Sequence, residues 1–435
     1  MKVSEKKELM GEFYLPSKPD HKILGRLNIG LDGEVWLEIF GNFETFPYDE
    51  AQLYRPLPLI NGEVADVGRV ALIDCCYRSV SFSLSGPQKK NRIDARYALC
   101  NLSVRYENEE EIEFNTLLFS VEHLNSWLNF VGVRQAGTPV EGMTISYILP
   151  EDITIKLSDG VEIQFTFGVS WSPPCADGVK ITQKAYIRLT SEQPRSLFYF
   201  TDLADKINAF LCLALGEVVC IKDVIADKQK INNRVLPAIE IYYQPSVRME
   251  KSSKWNRSHA PFQFRDIKEN LTAIFNKWIK NYELTWPTYF LYLSCIMKAG
   301  YIETMFLSLV HALENLYEAA CVLYGWPKKR GLKQKLEELI FTFRDLIPDD
   351  QDAIWNEIIK DVVGVRNYLT HYNKPGFMEK AETPKVVYIL YEKLSVIIQL
   401  HFLKQVGFSN QEIKSLFKKE AHRLEEKFYR PYYGK

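Results

Sequence analysis

The chain has no excess of charge of either sign: 54 Lys and Arg stand against 55 Asp and Glu, a formal net charge of −1. A uniformly basic nucleic-acid coat is therefore excluded, and any contact with RNA has to be made by a local patch. No Cys-x-x-Cys pair and no Cys/His spacing of a zinc site occurs among Cys75, Cys76, Cys100, Cys175, Cys212, Cys220, Cys295 and Cys321. These read as small core residues of a reducing compartment, and no metal or other cofactor is called for. No apolar run of transmembrane length stands out, and the start, Met-Lys-Val-Ser-Glu-Lys-Lys-Glu, has no signal-peptide core. The expectation is a cytoplasmic protein with no membrane partner. Gly-x-Gly-x-x-Gly, Gly-x(4)-Gly-Lys-[Ser/Thr] and Gly-x-Ser-x-Gly are missing as well, which disfavours nucleotide hydrolysis and an α/β-hydrolase nucleophile.

What is present is length enough for two or three cores, 435 residues at 46% hydrophobic content, and a change of period partway along. Up to about residue 245 the pattern is that of short strands: 11–15, 23–29, 35–39, 80–84, 97–106, 113–121, 144–149, 153–157, 161–169 and 185–189. Leu31-Asp32-Gly33 supplies a tight turn, and helices are expected at 123–131 and 201–219. The acidic run Glu107 to Glu113 reads as a hairpin turn with a solvated edge. Residues 246–264, polar and basic, read as a linker. Beyond it the period is helical: 265–280, 288–298, 302–324, 333–344, 351–370 and 384–405, then a last helix announced by the capping box Ser409/Glu412. The expected fold is α+β, a β-rich sandwich or barrel-like domain (1–245) followed by an all-α bundle (265–435).

One constellation carries chemistry. Arg366-Asn367-Tyr368-Leu369-Thr370-His371 spells Arg-Asn-x-x-x-His at the end of an amphipathic helix, just before the stop Asn373-Lys374-Pro375-Gly376. Such a spacing is common, so its setting carries the inference. Arg366 falls on the edge of the stripe formed by Trp355, Ile358, Ile359, Val362, Val365 and Leu369, where a charge is costly unless something anionic meets it. Were the helix to run on, His371 would point away from Arg366; the stop predicts that it turns back. RNA brings its own nucleophile, the 2′-hydroxyl, and asks for a base, an acid and a cation. Histidine serves either proton role near neutrality, and a guanidinium fork suits phosphate oxygens. Asn367 is placed to orient His371 or the backbone.

With these residues in view, the C-terminal part, about 288–406, resembles the HEPN superfamily, whose members carry Arg-x(4–6)-His, often with Asn, Asp or His directly after the Arg, as Asn367 is here. Phe306 to Leu316 is similar to the second helix of the Apea-like HEPN branch, with Glu314 at the place of that branch's Glu. Gly25-Arg26-Leu27 and the run from Phe119 to Trp127 are similar to the β-rich domain that precedes it. The resemblance implies a metal-independent endoribonuclease of bacterial anti-phage defence, with Arg366, His371 and Asn367 catalytic and Glu314 in support. It also implies a homodimer in which two motifs face one scissile phosphate. RNA, tRNA or mRNA among the options, is the expected partner, and a phage-derived trigger is expected to act on the N-terminal domain.

Alternatives stay open. His371 can serve as a helix-terminal cation, and Arg366 can pair with Glu314 or Asp361. His311, His401 and His123 read as packing residues. Lys328, Lys329, Lys418, Lys419 and Arg423, with nearby Tyr429, Arg430, Tyr432 and Tyr433, fit a single-stranded RNA surface or a solvated helix face. Two other functions are compatible: a non-catalytic HEPN scaffold that dimerises or binds RNA, and a β-sandwich ligand-binding protein with an oligomerisation tail, using Trp36, Tyr54 and Trp171 as a groove.

Overall fold

The computed structural model describes residues 1, 3–43, 56–79, 90–138, 140, 142–173, 178–231, 234–247, 255–256, 260–297, 300–347, 352–371, 375–419 and 424–431. The expected strand at 80–84, the stop residues Asn373 and Lys374, and Tyr54, Arg423, Tyr432 and Tyr433 lie outside them. The fold is α+β, and the chain divides into two compact units: Met1–Asn208 with Val219–Ser252, and Ala209–Val218 with Ser253–Lys435.

In the first unit, six strands close an antiparallel barrel: β1 (Lys7–Tyr14), β2 (Ile23–Ile29), β3 (Val35–Phe40), β4 (Leu57–Val64), β5 (Gly68–Ser79) and β6 (Lys90–Leu102). Their order is β6-β3-β2-β1-β4-β5, and β5 pairs back onto β6. Period-two alternation fills the interior: Leu27, Leu37 and Ile93 lie side by side across three strands, and all three are fully buried. The wall is tight where Gly11 pairs with Gly25, because a Cβ at Gly11 would stand 2.4 Å from the Glu63 carbonyl oxygen.

Strand β6 is longer than the barrel needs. Residues 90–95 pair with β3, while 97–100, on the same edge, pair with β14. From there an open antiparallel sheet continues, β14-β13-β7-β12-β11-β10. Its strands are β7 (Glu113–Val121), β10 (Ile153–Lys156), β11 (Glu162–Trp171), β12 (Ile181–Ser196), β13 (Ile221–Ile231) and β14 (Arg234–Tyr243). A separate hairpin joins β8 (Val133–Thr138) and β9 (Gly142–Tyr147). The helices α1 (Leu124–Leu128) and α2 (Leu197–Leu215) complete the elements before residue 219. Trp36, on the barrel exterior, carries the Arg92 guanidinium 4.9 Å above its ring, and Trp171 is 69% exposed at the end of β11.

The second unit is helical: α3 (Phe264–Ile267), α4 (Leu271–Ile296), α5 (Ile302–Tyr324), α6 (Leu332–Phe341), α7 (Asp352–His371), α8 (Met378–Ala381), α9 (Pro384–Val406), α10 (Asn410–Phe417) and α11 (Leu424–Tyr429). Phe210 at the end of α2 belongs here, packed among Phe262, Phe275, Trp278 and Phe402. The expected break between 280 and 288 is absent. Pro287 sits exposed inside α4, while Tyr282, Thr285, Thr288 and Tyr289 stay buried on the other face and hold the helix together across the missing N–H. The capping box is present, Ser409 Oγ accepting the Glu412 N–H at 3.3 Å and the Glu412 carboxylate accepting the Ser409 N–H at 2.8 Å.

Two further expectations change. The helices α5 and α9 are long and apolar enough to cross a membrane by length and composition, although α9 spends its apolar residues on the interior of the bundle. Cys76 is exposed, whereas Cys75, Cys100, Cys212, Cys220 and Cys295 are buried, and burial pushes the Cys100 thiol up to about 12.

Candidate active site

Helix α7 forms because Trp355, Ile358, Ile359, Val362 and Val365 recur on one face, and all five are buried. Arg366 rides the flank of that face with its side chain 27% exposed. Its Nη1 donates to Asn367 Oδ1 at 3.2 Å, and its Nη2 lies 4.0 Å from Glu314 Oε2 on α5. At that distance the carboxylate attracts the guanidinium without holding it in a hydrogen bond. Of five N–H donors, the described residues occupy one, which leaves a fixed cation with its fork open to an anion. Asp361, the other expected partner, is buried and engaged by Lys380 Nζ at 2.6 Å.

His371 is the last residue of α7 and is exposed. The helix runs through it, so the imidazole does not turn back. Five residues of helix rotate it by about 140° from Arg366 and raise it by about 7.5 Å. The Thr370 hydroxyl reinforces this last turn by donating to the Arg366 carbonyl at 2.7 Å. Within one chain, then, the two side chains leave the helix in directions about 140° apart.

Sequence reasoning missed the fold-back after the motif. From Pro375 the chain returns along α7 and is fastened at three places: the Phe377 ring lies on the backbone of Gly364, Lys380 pairs with Asp361, and Tyr368 donates its hydroxyl hydrogen to Glu382 at 3.0 Å. The signal was available in Gly364 itself, a glycine inside an amphipathic helix that disfavours it by about 1 kcal/mol relative to Ala. Such a residue asks for a close packing partner, and Phe377 is that partner.

The histidines divide. His401 is buried, within 3.0 Å of the Leu339 carbonyl and edge-on to Phe343 at 4.8 Å, and burial pushes its pKa down to about 4. His123 begins α1 in the left-handed region at φ 62°. His311, expected to pack, is exposed on α5.

Lys328 is exposed and Lys329 half-buried in the connection after α5, while their neighbours Lys333 and Lys335 are paired with Glu337 and Glu318. Lys418 and Lys419 are exposed at the end of α10. Tyr429 and Arg430 are committed to packing: Tyr429 donates to the Leu346 carbonyl, and Arg430 pairs with Glu392 and Glu426. No group of three His, Cys, Asp or Glu suited to a metal ion occurs among the described residues.

A family model described as Apea-like HEPN matches residues 322–412, which include Arg366, Asn367 and His371 but not Glu314. HEPN domains are generally of ribonuclease type. A second model, ApeA N-terminal domain 1, matches residues 8–278, more than half of the chain, and the chain belongs to that family. Neither the curated proteins nor the solved structures compared with this chain gave a match.

Proposed function

We propose that this chain is a metal-independent endoribonuclease of anti-phage defence, acting by abortive infection, and that its β-rich half, about 1–245, recognises a phage-derived signal or restrains the helical half. Its 2′-hydroxyl chemistry takes place where two copies meet. One observation carries this reading: a half-buried guanidinium with open donors shares a helix, within the residues matched by the HEPN model, with an exposed histidine whose position is rotated about 140° around that helix. A site needing both groups at one phosphate is then completed by His371 of a second copy, which a two-fold interface supplies. Arg366 stabilises the phosphorane charge, Glu314 and Asn367 set the angle of its fork, and His371 moves a proton. The RNA is a tRNA or mRNA, the working assembly is a homodimer, and the place of action is the cytoplasm. Lys328, Lys329, Lys418, Lys419 and Arg423 extend the contact to flanking phosphates.

The test is cleavage of total RNA in EDTA by the wild type, Arg366→Ala and His371→Ala proteins, with and without lysate of infected cells. Cutting by the wild type alone, leaving cyclic-phosphate ends, is expected. Equal RNA binding by all three with no cutting under either condition would overturn the nuclease reading in favour of a scaffold.

A further inference from the structure

A concerted cleavage needs an acid as well as a base, and in one chain the histidine of the motif is turned away from its arginine. A different imidazole lies one helical turn from the carboxylate that faces that arginine. On α5, Phe306, Leu309, Val310, Leu313 and Tyr317 are buried, yet His311 is exposed. It lies one turn before Glu314, about 60° around the helix, which brings the two Cβ atoms within about 5–6 Å. The Glu314 carboxylate is in turn 4.0 Å from Arg366 Nη2. Glu314 thus has an imidazole one turn away on its own helix and the guanidinium of α7 at 4.0 Å. Among the described residues His311 makes no hydrogen bond and no ion pair. The nearby charges are Glu314 on its own helix, which Arg366 approaches at 4.0 Å, and Glu318 two turns on, which Lys335 of α6 already holds at 2.6 Å.

We propose that His311 is the group that protonates the leaving 5′-oxygen, sharing the phosphate with Arg366 of its own chain. This rests on the nuclease reading above. In the step, the 2′-oxygen forms a bond to phosphorus and gives its proton to the neutral imidazole of His371 from the second copy. The bond from phosphorus to the 5′-oxygen breaks, its electron pair stays on that oxygen, and the His311 imidazolium supplies the proton. One imidazole ends protonated and the other neutral, and no other reactant is needed. Two copies of the site are equivalent, and the direction of the bound RNA decides which one acts.

The experiment uses two short RNAs, one ordinary and one carrying sulfur in place of the 5′-bridging oxygen at a single cleavable linkage, because a thiolate leaves without a proton. His311→Ala and His311→Gln are expected to lose on the order of 10²-fold or more on the ordinary linkage and to stay close to the wild type on the sulfur one. Arg366→Ala and His371→Ala are expected to lose on both. In mixtures of subunits, His311→Ala combined with His371→Ala regains about a quarter of wild-type activity, since half of the dimers are mixed and each has one intact site of two; His311→Ala with Arg366→Ala regains none. Equal loss on both linkages, or no loss on either, overturns the role of His311 while Arg366→Ala and His371→Ala remain inactive. Full activity of those two variants overturns the nuclease reading itself and this inference with it.

Discussion

Replacing Gly364 by Ala reports directly on how the end of α7 is held. A methyl group there would stand 2.2 Å from Phe377 Cε1, far inside ordinary carbon contact, which begins near about 3.5 Å. The ring has to leave, and the fold-back fastened by Lys380 and Glu382 loosens with it. Overpacking of this kind costs about 1–3 kcal/mol, and Ala offsets about 1 kcal/mol of that through its better helix propensity. The net expectation is a loss of about 1 kcal/mol. In a Phe377→Ala background the clash is gone and only the propensity remains, so the same substitution should stabilise by up to about 1 kcal/mol. A reversal of sign is thus expected between the two backgrounds, a coupling of about 2 kcal/mol, read from urea unfolding of the four proteins of the double-mutant cycle. Stabilisation by Gly364→Ala in both backgrounds would refute the argument that Phe377 occupies the space above this glycine.

Two buried bases give further expectations. Burial holds His401 at about 4 against about 6.5 when unfolded, so the unfolded chain takes up the proton first; stability is full above pH 6.5 and falls by about 3 kcal/mol as the pH drops from 6.5 to 4. Substitution His401→Gln should flatten that acid limb, and an unchanged limb in denaturant titrations between these pH values would count against it. Lys393 donates to the Phe428 carbonyl at 2.6 Å, with the Trp355 ring 5.4 Å away, and burial pushes its pKa down to about 8. Because the unfolded lysine holds its proton to about 10.4, stability should rise through pH 8–10.4, and Lys393→Met should abolish that rise while changing stability at pH 7 by no more than about 1 kcal/mol. Retention of the rise in the Met variant would show that another group produces it.

Much of the helical half was legible, because amphipathic period and capping chemistry act locally. The span of α5 and the Ser409 cap follow from nearest neighbours alone, and Arg366 announced itself as a charge on an apolar flank. The β-rich half was harder. Strands β4, β5, β8, β13 and β14 escaped the alternation rule: β4 buries consecutive residues Leu59, Ile60, Asn61 and Gly62, and β13 breaks register against both of its neighbours. Alternation exists only where one face of a strand meets solvent. Pro287 misled for a related reason, since the packing that carries α4 through it is not adjacent in sequence. His371 was misplaced because the stop signal after it was taken to end the helix one residue early, and one residue of helix is 100° of direction. His311 was read from its apolar neighbours, when the decisive fact was the face it occupies.

The double employment of β6 has a consequence of its own. A closed barrel offers no strand edge for another chain to join, yet this one lends residues 97–100 to β14 and so to the whole open sheet. Cutting the gene between these halves would leave that stretch of backbone bare and sticky, so the β-rich region should melt as a single cooperative block, with the amides of β6 the last to exchange with deuterium.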